Sequence, residues 1–202
     1  MNTETIDTYN READVLAKQY ESKSFEDIHS LAIPFIPDSP SRILDIGSGS
    51  GRDAAYFAKQ GHNVVAVEPA KSLRNHSSLL HPSTSITWID DSLPGLKTLL
   101  DTNEKFDLIW LSAIWMHVDP LDREVALRNI SRLLFPTGKV MISLRHGTPP
   151  LNRKVHPVSV SELDNIGQKN NLKVILSTNT DDRFNRDNVW WETVVMEYTG
   201  NE

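Results

Sequence analysis

Residues 43 to 51, Ile-Leu-Asp-Ile-Gly-Ser-Gly-Ser-Gly, constrain this chain more than any other stretch. Apolar β-formers up to Ile46 read as a buried strand, and the glycines at 47, 49 and 51 let the backbone turn sharply and approach a ligand closely. A second apolar run, Asn-Val-Val-Ala-Val, ends at Glu68. An acid at the tip of a second strand is placed to accept hydrogen bonds from a ribose diol. Strand, glycine loop, helix, strand and acid together read as a nucleoside-cofactor site.

Which nucleoside follows from two residues. A dinucleotide fingerprint needs a third glycine where this chain has Arg52, too bulky for the close helix-strand packing that glycine permits. Asp45, just ahead of the loop, would face the doubly negative pyrophosphate that a helix N-terminus normally attracts. Both argue against NAD. S-adenosylmethionine has an α-ammonium and a sulfonium and no phosphate, so acids at both strand ends become favourable contacts.

Over residues 40 to 145 the chain resembles, in motif order, the class I (Rossmann-like) S-adenosylmethionine-dependent methyltransferases, of the small bacterial methyltransferase-domain type. Leu44 to Gly51 matches the family's glycine motif and Glu68 its ribose-binding acid. Ile89-Asp90-Asp91-Ser92-Leu93-Pro94 looks like the motif that holds the adenine, and Phe106 to Leu111 like strand four. Leu133 to Val140 resembles the turn before strand five, with Thr137 replacing a glycine. The resemblance implies S-adenosyl-L-methionine as cofactor, held by Asp45, Gly47, Ser48, Gly49, Arg52, Glu68, Pro69, Asp91, Ser92, Leu111 and Ser112. For the adenine contact Asp91 is preferred over Asp90, because Asp-Ser-Leu-Pro fits the motif better.

Composition narrows the partners. A length of 202 residues suits one α/β domain with a modest extension. The net charge of −6 argues against a broad grip on nucleic acid, and no metal site is expected. The absence of cysteine removes cysteine-adduct methylation of pyrimidines and fits a reducing cytoplasm. No signal peptide is read at the N-terminus, and no apolar run approaches the ~20 residues of a membrane span. A cytoplasmic protein acting on a small molecule is therefore expected, with the oligomeric state left open.

Tyr9, Ala13, Leu16, Ala17 and Tyr20 recur at helical steps and predict one amphipathic helix; Ser24 caps a second bearing Phe25, Ile28 and Leu31, ended by prolines 34, 37 and 40. Residues 1–40 thus form a helical cap and 41–202 the core of a single domain, 1–202. From Arg42 the signals alternate: strand 42–46, helix 51–60, strand 63–67, helix 70–80, strand 85–89, a short helix near 95–101, strand 106–111. Asp119-Pro120 starts a helix running to about 134, strand 138–144 follows, and Ser159 with Glu162 makes a capping box for a helix ending near Asn170. Strands 172–178 and 189–198 close the chain. The expected fold is α/β, a Rossmann-like doubly wound seven-stranded sheet: five parallel strands plus a closing antiparallel pair, helices on both faces and an N-terminal helical lid.

Chemistry belongs beyond the C-terminal ends of these strands. Methyl transfer needs an aligned nucleophile and, for a hydroxyl or ammonium, a proton acceptor. His117, just past strand four, is the leading base because imidazole titrates near neutrality; the competing reading is a histidine bracing its loop. His146 is a second base candidate. Arg145 to Lys154 carries four potentially cationic side chains and no acid, and Arg183 and Arg186 add to them. Arg145 with Arg153 or Arg186 would clamp a carboxylate or phosphate; a solvated loop is the other explanation. Trp115 is read as pocket wall or core, and Tyr9 as substrate contact or cap packing. Strand four lacks the Asn/Asp-Pro-Pro-aromatic loop of exocyclic-amine methyltransferases. A nucleic-acid or protein methyltransferase and a non-catalytic cofactor-binding module are the rival functions.

Overall fold

A computed structural model describes residues 3–150 and 152–200. Residues 1, 2, 151, 201 and 202, included in the single-domain expectation, lie outside the described residues. The seven strands are β1 (Arg42–Ile46), β2 (Asn63–Val67), β3 (Ile86–Ile89), β4 (Phe106–Leu111), β5 (Leu134–Gly147), β6 (Leu172–Asp181) and β7 (Val189–Tyr198). They form one sheet in the order β3-β2-β1-β4-β5-β7-β6. The pairs from β3 through β5 are parallel, and β7 lies antiparallel between β5 and β6. The strand order reverses at β1, which pairs with both β2 and β4. A crevice at that switch point is where such sheets bind ligands.

Eight helices flank the sheet among the described residues: α1 (Thr3–Arg11), α2 (Ala13–Glu21), α3 (Phe25–His29), α4 (Arg52–Lys59), α5 (Lys71–Leu80), α6 (Lys97–Leu100), α7 (Arg123–Arg132) and α8 (Val160–Gln168). Period-two alternation sorts the strand residues between two cores. Leu44, Ile109, Ile142 and Val194 pack with Leu127 of α7 and Leu163 of α8. Ile43, Leu108, Met141 and Val195 pack with Phe25 of α3 and Phe57 of α4 on the other face. Neither face of the central strands meets water, which is why β1 reads as an unbroken apolar run.

The cap is three helices where the stripe predicts two. Glu12, at φ −100 and ψ 11, interrupts the first, so Tyr9 lies on α1 and Ala13, Leu16, Ala17 and Tyr20 on α2. The stripe itself is real: Ala13 and Ala17 pack against Ala70 and Leu73, with Ile6 and Tyr9 beside them. The cap is thereby seated on α5, next to the tip of β2. Ser24 caps α3 with a complete capping box through Asp27.

Three other boundaries shift for local reasons. Asp119 does cap, accepting from the Leu121 amide, but it caps a 3-10 turn over Pro120–Asp122, and α7 begins only at Arg123. Ser159 accepts from the Glu162 amide, while the Glu162 carboxylate turns to Arg123 at 2.5 Å, so the expected box is half made. Strand β5 starts early because Leu134 pairs with Phe106 before the register jumps to Lys139 opposite Leu108. The residues between loop out with Thr137 at φ 70, the left-handed conformation that the resemblance fills with glycine.

Candidate active site

The glycine loop is built as its composition demands. The amides of Gly47 and Ser48 both donate to the carbonyl of Val67, which ties the end of β1 to the end of β2. Gly47 has φ +72, and a Cβ there would lie 2.7 Å from Cδ1 of Ile114, so neither the conformation nor the space admits a side chain. The loop floors a cavity whose walls come from the cap, from Asp45 on β1, from the segments that follow β2 and β4, from β5 and the loop after it, and from the facing ends of β6 and β7 with the loop between them.

Two acids line it at the ends of β1 and β2. Glu68 accepts from the amides of Gly49, 3.1 Å, and Ala70, 2.8 Å, one with each carboxylate oxygen, so further lone pairs on both oxygens are free. Burial pushes its carboxyl up to about 7, against the pull of those amides. Asp45 is also buried, with its Oδ2 unpartnered among the described residues. Burial and the neighbouring charge of Asp53 raise Asp45 well above the ordinary carboxylate range. The hydroxyl of Ser48 is likewise buried without a partner. Buried polar atoms left unpaired in a cavity wall are what a missing polar ligand leaves behind. An ammonium and a ribose diol fit them.

The remaining expected cofactor residues divide. Gly49, Arg52 and Ser112 line the cavity with those above; Pro69, Asp91, Ser92 and Leu111 do not. The Asp91 carboxylate is held by the amides of Ser92 and Leu99, and Leu111 is core. Arg52 does not reach freely into the cavity. Its guanidinium is ion-paired to Asp53 at 2.7 Å and donates to the carbonyl of Tyr20. Asp53 also accepts from Trp110 Nε1 and contacts His29 Nε2 at 2.9 Å. Burial alone would raise Asp53; Arg52 and His29 outweigh it and hold the carboxyl far below its ordinary range. His29 and Asp53 both line the cavity, and sequence reasoning missed them. Asp53, next to Arg52 in the chain, was open to notice. His29 was not, because only the fold of the cap brings it there.

The lining is also basic. Arg145, Arg153, Arg183 and Arg186 all line the cavity. Their charges are not equivalent. Arg186 is paired with Asp182 at 2.5 Å, as Arg42 is with Glu104, Arg74 with Asp90 and Arg123 with Glu162. Arg145 and Arg153 have no such carboxylate among the described residues. Arg145 donates to the carbonyl of Thr148, and Arg153 to the neutral hydroxyls of Tyr9 and Tyr20, its Nε buried without a partner.

The two histidine candidates separate. His117 lines the cavity, and its Nδ1 lies 3.0 Å from the carbonyl of Lys154, which can only accept. Nδ1 therefore carries the proton, and Nε2 accepts from the Tyr9 hydroxyl at 3.2 Å. Burial first, then the positive charges of Arg153, His156 and Arg145, push this imidazole down to about 4 despite the Lys154 bond. His146 is a correction to the expectation. It neighbours Arg145 on β5, and alternation turns it to the other face of the sheet, stacked on Trp190 and 2.7 Å from Glu192. It does not line the cavity. Trp115 is fully buried core, which settles its two readings against a pocket wall.

A family model described as a methyltransferase domain matches residues 16–177. Among curated proteins, a ubiquinone biosynthesis O-methyltransferase of Bradyrhizobium diazoefficiens is 29% identical over 102 residues, 50% of this chain and 39% of that protein. An uncharacterized methyltransferase of Oceanobacillus iheyensis is 25% identical over 123 residues, 61% of this chain and 55% of that protein. The matches thus span only about two fifths to just over half of those relatives. Among solved structures, the 1,6-didemethyltoxoflavin-N1-methyltransferase of Burkholderia thailandensis superposes with TM-score 0.69 at 18% identity, covering 99% of this chain and 92% of that one. A TehB-like S-adenosylmethionine-dependent methyltransferase of Corynebacterium glutamicum gives TM-score 0.65 at 21% identity, covering 98% and 100%. With the family model spanning most of its length and the strand order, glycine loop and strand-end acids in place, the chain belongs to the methyltransferase domain family.

Proposed function

We propose that this chain is an S-adenosylmethionine-dependent methyltransferase, a single domain with a helical cap, acting on an oxygen or nitrogen of a small anionic molecule. The observation that carries the reading is the charge lining of the cavity. An unpartnered Asp45 oxygen and Glu68 stand at the ends of β1 and β2, and two guanidinium groups with no carboxylate partner among the described residues, those of Arg145 and Arg153, line the same space. The cofactor supplies, when bound, a methyl group already activated on a sulfonium. Asp45 and Ser48 suit its ammonium end and Glu68 its ribose hydroxyls. Arg145 and Arg153 hold the anion of the acceptor, and His117, neutral at working pH, receives a proton. Arg186, already spent on Asp182, shapes the loop rather than clamping.

The relatives support methyl transfer and divide on the acceptor atom, one named for O-methylation and one for N-methylation. The absence of cysteine supports a reducing compartment such as the cytoplasm, and no helix of the described residues is long and apolar enough to cross a membrane. Calorimetry tests the cofactor assignment: S-adenosylmethionine and S-adenosylhomocysteine should bind and NAD should not. Tighter binding of NAD refutes it. Turnover of methyl-labelled cofactor with a panel of carboxylates and phosphates, each beside a neutral and a cationic counterpart, tests the anion, and label appearing only on the cationic or neutral acceptors refutes that part.

A further inference from the structure

Tyr9 is the cavity residue with the most closely defined chemistry. Its oxygen donates to Nε2 of His117 at 3.2 Å and accepts from Nη1 of Arg153 at 2.9 Å. A phenolic oxygen has one proton to give and two pairs to accept with, so one pair is left unassigned. His117 has none: Nδ1 is committed to Lys154 and Nε2 to Tyr9. An acceptor entering the cavity therefore meets Tyr9 first and reaches His117 only through it.

The surrounding charge selects the acceptor. Arg153 lies over the Tyr9 ring, 5.1 Å from its centre, and Arg145 and His156 add to the positive field at His117. The acid acting on Tyr9 is Glu68, and Tyr20 is a further titratable neighbour beside Arg153 and His117. A group that turns negative as it loses its proton is stabilised beside an unpaired guanidinium, and an ammonium is repelled. We propose that Tyr9 is a catalytic residue supplied by the cap, and that the acceptor is an acidic hydroxyl, a phenol or an enol, whose proton leaves through Tyr9 to His117.

The step balances. The acceptor O–H bond breaks and its proton passes to the Tyr9 oxygen, while the Tyr9 proton passes to Nε2 of His117. The acceptor oxygen forms the new C–O bond to the methyl group, and the electron pair of the broken C–S bond stays on sulfur. The products are a methyl ether, S-adenosylhomocysteine and an imidazolium that returns its proton to water. Arg153 holds the oxygen while it is negative.

This inference rests on the methyltransferase reading, and the experiment keeps the two apart. The protein is given methyl-labelled S-adenosylmethionine and a panel of substituted phenols and enols, each matched by the aniline or enamine of the same shape, and S-adenosylhomocysteine affinity is measured separately by calorimetry. Label should appear on phenols or enols and not on their nitrogen counterparts. Tyr9→Phe, which keeps the ring, should lower kcat at least 100-fold with the acceptor KM within threefold and S-adenosylhomocysteine affinity within twofold. In mixtures of light and heavy water the wild-type rate should curve with isotope fraction, as two protons in flight require. A packing role for Tyr9 alone would leave that dependence straight. The proposal is overturned if label goes to nitrogen and not to oxygen, if no phenol or enol is labelled although S-adenosylhomocysteine binds, or if Tyr9→Phe keeps the wild-type kcat. Failure of S-adenosylhomocysteine to bind sinks the methyltransferase reading itself.

Discussion

Replacing Glu68 by Gln should change stability in a way that depends on pH with a definite sign. The side chain is only 6% exposed, and burial raises its carboxyl from 4.5 to about 7. A group whose folded value is raised keeps its proton in the native state after the unfolded chain has lost it. Native stability therefore falls as pH rises from 4.5 to about 7 and is level above that. At 1.36 kcal/mol per unit, the shift corresponds to ~3 kcal/mol of destabilisation at pH 8 relative to pH 4. Gln removes this charge and introduces another defect. It has one oxygen for the two amides of Gly49 and Ala70, and leaving one of those donors unpaired costs ~1–3 kcal/mol at every pH.

Glu68→Gln should accordingly be less stable than wild type near pH 4 and equal or more stable near pH 8, the gap moving by ~3 kcal/mol. For a domain of this size that is a relative change in Tm of ~6–12 °C, readable by thermal melts across the pH range. Asp45 adds to the movement in the same direction, because the Glu68 charge is one cause of its own raised value. Affinity for S-adenosylhomocysteine should meanwhile fall more than tenfold, since a carboxylate accepting from a ribose hydroxyl is lost. A gap between the two proteins that stays constant from pH 4 to pH 8 would show that Glu68 is ionised at no cost, and the burial argument would fail.

Cofactor binding at pH 6 should release protons, because an ammonium beside Asp45 and a ribose at Glu68 both favour the ionised carboxylates; affinity then rises as pH climbs to about 7, and heats that do not vary with buffer ionisation enthalpy refute this. Gly47→Ala should destabilise by ~2–4 kcal/mol and abolish cofactor binding, from its left-handed backbone and the contact with Ile114, whereas Gly49→Ala meets Tyr20 only at 3.6 Å and should cost ~1–2 kcal/mol; equal melts for the two overturn the distinction. Asp182→Asn should lose ~1–3 kcal/mol, constant from pH 5 to 8, because Arg186 and Trp191 hold that carboxyl near 2 and its contribution disappears only as pH falls through that value. Denaturant titration across pH reads it, and a loss that appears only below pH 5 refutes it.

The sheet was legible because each central strand is buried on both faces and reads as an apolar run; β1, β2, β4 and β7 begin and end where expected. What escaped depends on partners distant in sequence. Glu12 breaks the cap helix although the apolar stripe runs straight through it, and Leu134 joins β5 only because Phe106 lies opposite. In the site, Gly47, Asp45 and Glu68 were legible because strand ends and a glycine loop carry their own geometry. His146 is misplaced as a base candidate because it adjoins Arg145 in the chain, whereas two-residue alternation puts the two on opposite faces of β5. Arg186 reads as a free clamp in the sequence because Asp182, four residues before it, is not weighed against it there; the fold pairs the two. Charge sums over a loop do not say which charges are already paired.

That last point bears on the base. Arg145 and Arg153 are two of the causes that push His117 down to about 4, and an acceptor anion bound between them cancels what they do. Removing nearby positive charge raises an imidazole, so the anion strengthens the base as it binds. Burial remains, and it is the largest cause, so the rise stops short of the ordinary histidine range. The acidic limb of kcat/KM reports the free protein and should fall near pH 4; the acidic limb of kcat reports the complex and should lie higher. The separation should shrink in Arg145→Gln, where one of the two charges is already gone, and should be smaller still for a neutral acceptor. Coincident limbs with an anionic acceptor would mean that the anion is not held beside His117, and the clamp would have to be sought elsewhere in the cavity.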